Sequence, residues 1–136
     1  VPHDLNGDIM DAIGREALTG IQQLERELIV RDFVALLNDR AHTELHPFLA
    51  EDVVYRPSAS KSVWGRPAVT RMIADLHENF DQWTTDLQSV AVCGDTVLTE
   101  QRLRLRLPGT STVEVMGFAS FRLAGAQISA WNQIHA

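Results

Sequence analysis

Apolar residues recur along this chain in two rhythms, helical for most of the stretch up to Phe80 and alternating from there to the C-terminus. Asp8 to Thr19 sets Ile9, Ile13 and Ala17 on one side and predicts a short helix, weakened at Gly20 and preceded by a loose arm from Val1 to Gly7. Ile21, Leu24, Leu28, Ile29, Phe33, Leu36 and Leu37 form a helical stripe, so a second helix is expected over Ile21 to Asn38. Thr43 to Leu49 reads as a short turn of helix. Val53-Val54-Tyr55 reads as a brief strand that Pro57 stops, because proline has no N–H for a ladder. Gly65-Arg66-Pro67 opens the clearest helix. Pro67 fits the first turn, where a missing N–H costs nothing, and Val69, Met72, Ile73, Leu76 and Phe80 follow at core spacing.

The remainder reads as strand. Thr85 to Cys93 ends at the Gly94-Asp95 turn. Thr96 to Leu107 alternates, with Val97, Gln101, Leu103, Leu105 and Leu107 on one face and Glu100, Arg102, Arg104 and Arg106 on the other. Pro108-Gly109 turns the chain, and Ser111 to Leu123 and Gln127 to His135 complete a meander. Helices followed by consecutive antiparallel strands predict an α+β fold, with the helices on one face of a strongly bent sheet around a cone-shaped pocket. One domain spans 1–136, its first 20 residues an arm and short helix.

Composition narrows the function classes. The hydrophobic share of 45% is enough for a core. A net charge of −6 argues against nucleic acid or an anionic membrane as partner. The lone Cys93 excludes an internal disulfide and a cysteine zinc cluster. No apolar run approaches the ~20 residues of a membrane span, so a soluble, cytoplasmic protein is expected. His42, His46 and His77 share no ligand spacing with Asp or Glu, and no metal or other cofactor is expected.

Several short motifs carry a resemblance. Phe48-Leu49-Ala50-Glu51-Asp52-Val53-Val54-Tyr55, Gly65-Arg66-Pro67-Ala68-Val69, Thr99-Glu100-Gln101-Arg102-Leu103 and Ile128-Ser129-Ala130-Trp131-Asn132-Gln133 occur in this order from Asp32 onward. Together they resemble the NTF2-like superfamily of SnoaL-like, ketosteroid-isomerase-like and limonene-1,2-epoxide hydrolase-like proteins. The resemblance implies a cone-shaped barrel enclosing an apolar pocket. In the hydrolases two aspartates and a bridging arginine do the chemistry; the matching positions here are Leu103, Gln133 and Gln101. Tyr55 of the water-holding pair remains, and Pro57 replaces the asparagine. The isomerases' tyrosine, base and protonated aspartate match Phe33, Arg56 and Ala119. Neither proton relay survives, and an amide cannot supply the ~10²–10⁴-fold of general acid–base catalysis.

The resemblance and the strand alternation together imply a pocket lined by Gln101, Leu103, Leu105, Val113, Val115, Trp131, Gln133 and His135, with Leu76, Phe80, Val34 and Leu37 from helices and Tyr55 and Trp64 at the mouth or wall. Polar candidates for chemistry are Tyr55, Gln101, Gln133, His135 and Asp39, the last ending the first long helix. Each has a plainer reading: Gln101 and Gln133 can satisfy one another, Trp131 can be core, and Asp39 can be a solvated turn. An apolar pocket with few polar groups suits a hydrophobic small molecule. The expectation is a polyketide-type natural-product cyclase or isomerase that orients its substrate for ring closure, for example a [4+2] cycloaddition. Two alternatives stand: a non-catalytic carrier of lipophilic molecules, and an epoxide hydrolase or epoxide-opening cyclase with relocated carboxylates such as Asp39. Period-2 counting puts Met116, Phe118, Ile128, Ala130 and Ile134 on the outer sheet face and predicts a homodimer through it.

Overall fold

The computed structural model describes residues 5–135. Helix α1 (Leu5–Asn38) is followed by the short helix α2 (His42–Leu45), a 3₁₀ turn (His46–Phe48), strands β1 (Leu49–Ser58) and β2 (Lys61–Trp64), helix α3 (Arg66–Asn79), and strands β3 (Gln82–Cys93), β4 (Thr96–Arg106), β5 (Val113–Ala124) and β6 (Gln127–His135). The six strands form one mixed sheet in the order β2-β1-β6-β5-β4-β3. Only β1 and β6 run parallel; the other neighbours are antiparallel. Helices α1 and α3 cover one face, giving the expected α+β architecture. The sheet stays open, with β2 and β3 as its edges.

The two expected N-terminal helices are one 34-residue helix. Gly20 does not break it, and of the expected loose arm Val1–Asp4 lie outside the described residues. Its last turns bury Val30, Phe33, Val34 and Leu37, while Met10, Ile13, Ile21, Leu24 and Leu28 are exposed on the opposite side. The apolar stripe of the first turns therefore does not belong to the core. Asn38 fastens the C-terminal end: its side chain donates to the Thr85 carbonyl and accepts from the Thr85 N–H, both at 2.8 Å. Arg40, in the left-handed region at φ 55°, then sends its guanidinium to the His77 and Phe80 carbonyls at the end of α3, at 2.6 and 2.9 Å. These are the carbonyls a helix end leaves unpaired.

Three strand expectations change. β1 continues through Pro57 to Ser58, because its register to β2 skips between Tyr55 and Ser58 and no ladder N–H is required at Pro57. β2 was not expected. On β6, Arg122 opposes Ala130 and Leu123 opposes Ile128, so Ser129 is an extra residue. This bulge shifts the alternation by one. Ile128 is fully buried in the core, and the outer face keeps Met116, Phe118 and Ile134 as its exposed apolar residues from the predicted set. On β4 the alternation holds; Arg102 meets Glu114 at 3.6 Å and Arg104 meets Asp86 at 3.2 Å on the solvated face.

Candidate functional site

The middle of the fold is filled by aromatic rings. Trp131 stacks on Tyr55 with ring centroids 4.0 Å apart and on Phe121 at 5.8 Å, and Phe33 of α1 meets it edge-on at 5.2 Å. The cross-strand register explains the cluster, since Tyr55, Trp131, Phe121 and Val97 lie side by side on β1, β6, β5 and β4. What remains beneath α3 is a small, partly open cavity of about 10 Å³, room for roughly one water. Leu37, Tyr55, Ile73, Leu76, His77, Trp83, Thr85, Trp131 and Gln133 line it. A polycyclic ligand does not fit a cavity of this volume without displacing its lining.

The polar atoms of the cavity are unequally satisfied. The Tyr55 hydroxyl donates to Gln133 Oε1 at 2.6 Å, which occupies the amide's acceptor and leaves its N–H groups. Burial raises the Tyr55 pKa far above the ordinary phenol value, so it is a neutral donor. The Trp131 indole N–H is buried and has no partner among the described residues. Buried polar groups are nearly always paired, so this orphan donor on a residue that lines the cavity stands out. His77 is 3% exposed and its pKa falls to about 4, first through desolvation, then through the nearby His42 and Arg40 charges. It is therefore a neutral imidazole near pH 7.

The expected pocket residues divide among several places. Tyr55, Gln133, Trp131, Leu37 and Leu76 meet at the cavity. Phe80, Leu105 and Val113 instead line an open apolar groove of about 220 Å³ with Leu107, Thr110 and Ser111. Phe80 packs edge-on against Trp83 at 5.0 Å, so one aromatic pair separates groove from cavity. Val34 and Leu103 are core, and Val115, opposite Leu103, is half-buried. Trp64 is 66% exposed, with the Arg56 guanidinium 5.8 Å over its ring. Asp39 is exposed just beyond the end of α1 and does not line the cavity.

Gln101 and Gln133 do not bond each other. Gln101, 1% exposed, has Thr99 Oγ1 at 3.4 Å and His135 Nε2 at 3.5 Å, both at the long limit of a hydrogen bond. His135 lies across from Gly117, and desolvation lowers its pKa. A Cβ at Gly117 would clash with His135 Cδ2 and come 2.9 Å from the Ile134 carbonyl oxygen. Glycine at 117 is thus what lets the imidazole lie against the sheet. Gly117→Ala should cost about 1–3 kcal/mol in denaturant unfolding. Adding His135→Ala should recover only part of that loss, because the Ile134 carbonyl clash stays. Wild-type stability in the single variant would refute the close approach.

Sequence reading missed His77, Trp83 and Thr85. For His77 a signal existed: Val69, Ile73 and His77 are four residues apart on α3, and all three are buried. Trp83 and Thr85 offered less, because the strand was expected to start only at Thr85 and begins at Gln82.

The family model for the SnoaL-like domain matches residues 30–131. An LEH-like epoxide hydrolase from M. tuberculosis superposes with a TM-score of 0.77 at 17% identity, over 85% of each chain. A protein described as a SnoaL-like polyketide cyclase from Jannaschia sp. CCS1 gives 0.75 at 18% identity, over 83% of this chain and 86% of that one. A protein with a ketosteroid isomerase-like fold from Catenulispora acidiphila, solved in complex with trimethylamine, gives 0.71 at 17% identity, over 78% of this chain and 83% of that one. At such identities the likeness is one of fold. No curated protein matches the chain.

Proposed function

The chain belongs to the SnoaL-like family, and from that premise we propose that it is a cyclase or isomerase of natural-product type acting on a hydrophobic small molecule. The observation that carries the reading is that two residues lining the cavity hold unused donors, the buried, unpaired indole N–H of Trp131 and the amide N–H groups of Gln133. Two neutral donors in a water-poor space suit a carbonyl or epoxide oxygen on which negative charge develops. The apolar groove over Phe80, Leu105 and Val113 suits the hydrocarbon body of such a substrate, with the Phe80–Trp83 pair displaced as its oxygen enters. Among the described residues no carboxylate lines the cavity, and this supports ring closure or isomerisation by orientation and polarisation over hydrolysis through an aspartate pair.

The test is a panel of hydrophobic enones and epoxides assayed in ¹⁸O-labelled water. Expected is a rearranged or ring-closed product without label. Trp131→Phe, which removes the donor and keeps most of the ring, should lower kcat by about 10²-fold. Labelled diol would overturn the reading in favour of an epoxide hydrolase. The lack of a cavity carboxylate also favours a second reading, a non-catalytic binding protein. Ligand-dependent quenching of tryptophan fluorescence without turnover would establish it.

We also propose a homodimer through the outer sheet face. Met116, Phe118 and Ile134 are 45%, 54% and 69% exposed there, and Phe118 and Ile134 are cross-strand neighbours. Light scattering should give twice the chain mass, and Phe118→Glu should halve it. A wild-type monomer at high micromolar concentration would refute the dimer.

A further inference from the structure

His77 lines the cavity from α3, and His42 stands behind it at the start of α2. His42 Nε2 and His77 Nδ1 are 2.6 Å apart. The ring planes differ by 16° and the centroids by 4.9 Å. Face-to-face rings at that separation could not bring two nitrogens so close, so the imidazoles meet nearly coplanar and edge to edge, as a linear N–H···N bond requires. His42 is half-buried and opens onto a surface groove with Thr43, His46, Pro47 and Thr70. The pair thus has one end in a groove and the other at the cavity beneath α3.

The surrounding charges favour transfer over storage. Arg40 lies beside His77 and donates to its carbonyl. Toward the cavity, β1 presents the neutral phenol of Tyr55, β3 presents Trp83 and Thr85, and β6 presents Gln133 and Trp131. No carboxylate is ion-paired with either ring among the described residues. Burial of the His77 ring and the nearby Arg40 cation disfavour a proton coming to rest on that ring.

We propose that His42 and His77 form a proton relay between solvent and the cavity, a role that rests on the reading of the cavity as a reaction site. A proton from water binds His42 Nδ1. The proton on His42 Nε2 passes to His77 Nδ1, and His77 gives up its Nε2 proton to the group in the cavity. One N–H bond forms and one breaks on each ring, with no net change in charge. Run backwards, the relay removes a proton from the substrate. An isomerisation that moves a hydrogen needs such an exchange in a space with room for only about one water.

The test has two arms. In ¹⁵N-histidine-labelled protein, the two facing nitrogens should show scalar coupling through the hydrogen bond, and the rings should titrate as one coupled pair. Absent coupling with two independent titrations would overturn the relay, whatever the reaction is. With a substrate from the panel, His42→Gln should lower turnover at least tenfold in dilute buffer. His42→Ala should lose as much and recover with added imidazole, while His77→Gln should not recover. Turnover indifferent to both His42 substitutions would overturn the relay while leaving the proposed reaction standing. Coupling without turnover of any compound would reject the reaction and the relay's catalytic role together.

Discussion

Trp131→Ala should lower stability by about 3–5 kcal/mol, roughly 10–20 °C in Tm for a domain of this size. The indole is 3% exposed and touches rings from three other elements: Tyr55 on β1, Phe121 on β5 and Phe33 on α1. Its removal opens a void where sheet and helix meet, and the surrounding backbone is too constrained by β1–β6 and β5–β6 pairing to collapse into it. Trp131→Phe should cost far less, about 1.5 kcal/mol or below, because the ring contacts largely persist and the lost N–H had no partner to strand. Thermal unfolding of the two variants gives the comparison. A loss under about 1 kcal/mol for the alanine variant would mean that the aromatic cluster is not the packing centre.

Acidification should destabilise the fold well above the range where carboxylates protonate. His77 has a folded pKa of about 4 against 6.5 for a free imidazole, with desolvation the largest cause. The folded value is the lower one, so the unfolded chain binds the proton first as pH falls. The contribution of neutral His77 is therefore complete above pH 6.5 and is lost progressively between 6.5 and 4. The full loss is on the order of 3 kcal/mol. His135 shifts in the same direction and adds to the slope. Urea unfolding at pH 7.0, 5.5 and 4.5 should show stability falling across the series, and His77→Gln should flatten most of it. Equal stability at pH 7.0 and 4.5 in the wild type would contradict the buried, neutral histidine.

The elements legible in the sequence are those that local chemistry decides. Gly65-Arg66-Pro67 marks the start of α3 because a proline ring fits only a first helical turn and Gly65 adopts a φ of 87°. The alternation of β4 and the span of β6 from Gln127 to His135 follow from a side-chain period of two. The fold class follows from their order, and the inward direction of Gln101, Leu103, Trp131 and Gln133 follows from the alternation.

Tertiary contacts decided the rest. Ser129 bulges against a partner strand, and that one residue moved Ile128 from the predicted outer face into the core. Pro57 stays in β1 because its neighbours' register skips there. The aromatic cluster left a cavity of about 10 Å³ because three strands and α1 bring Tyr55, Trp131, Phe121 and Phe33 to one point. His77 became a cavity residue, and His42 its partner from 35 positions away, only when α2 packed against α3. A short-range pattern tells which side of an element is apolar. What that side meets, and which polar atom is left there without a partner, depends on residues far apart in the chain.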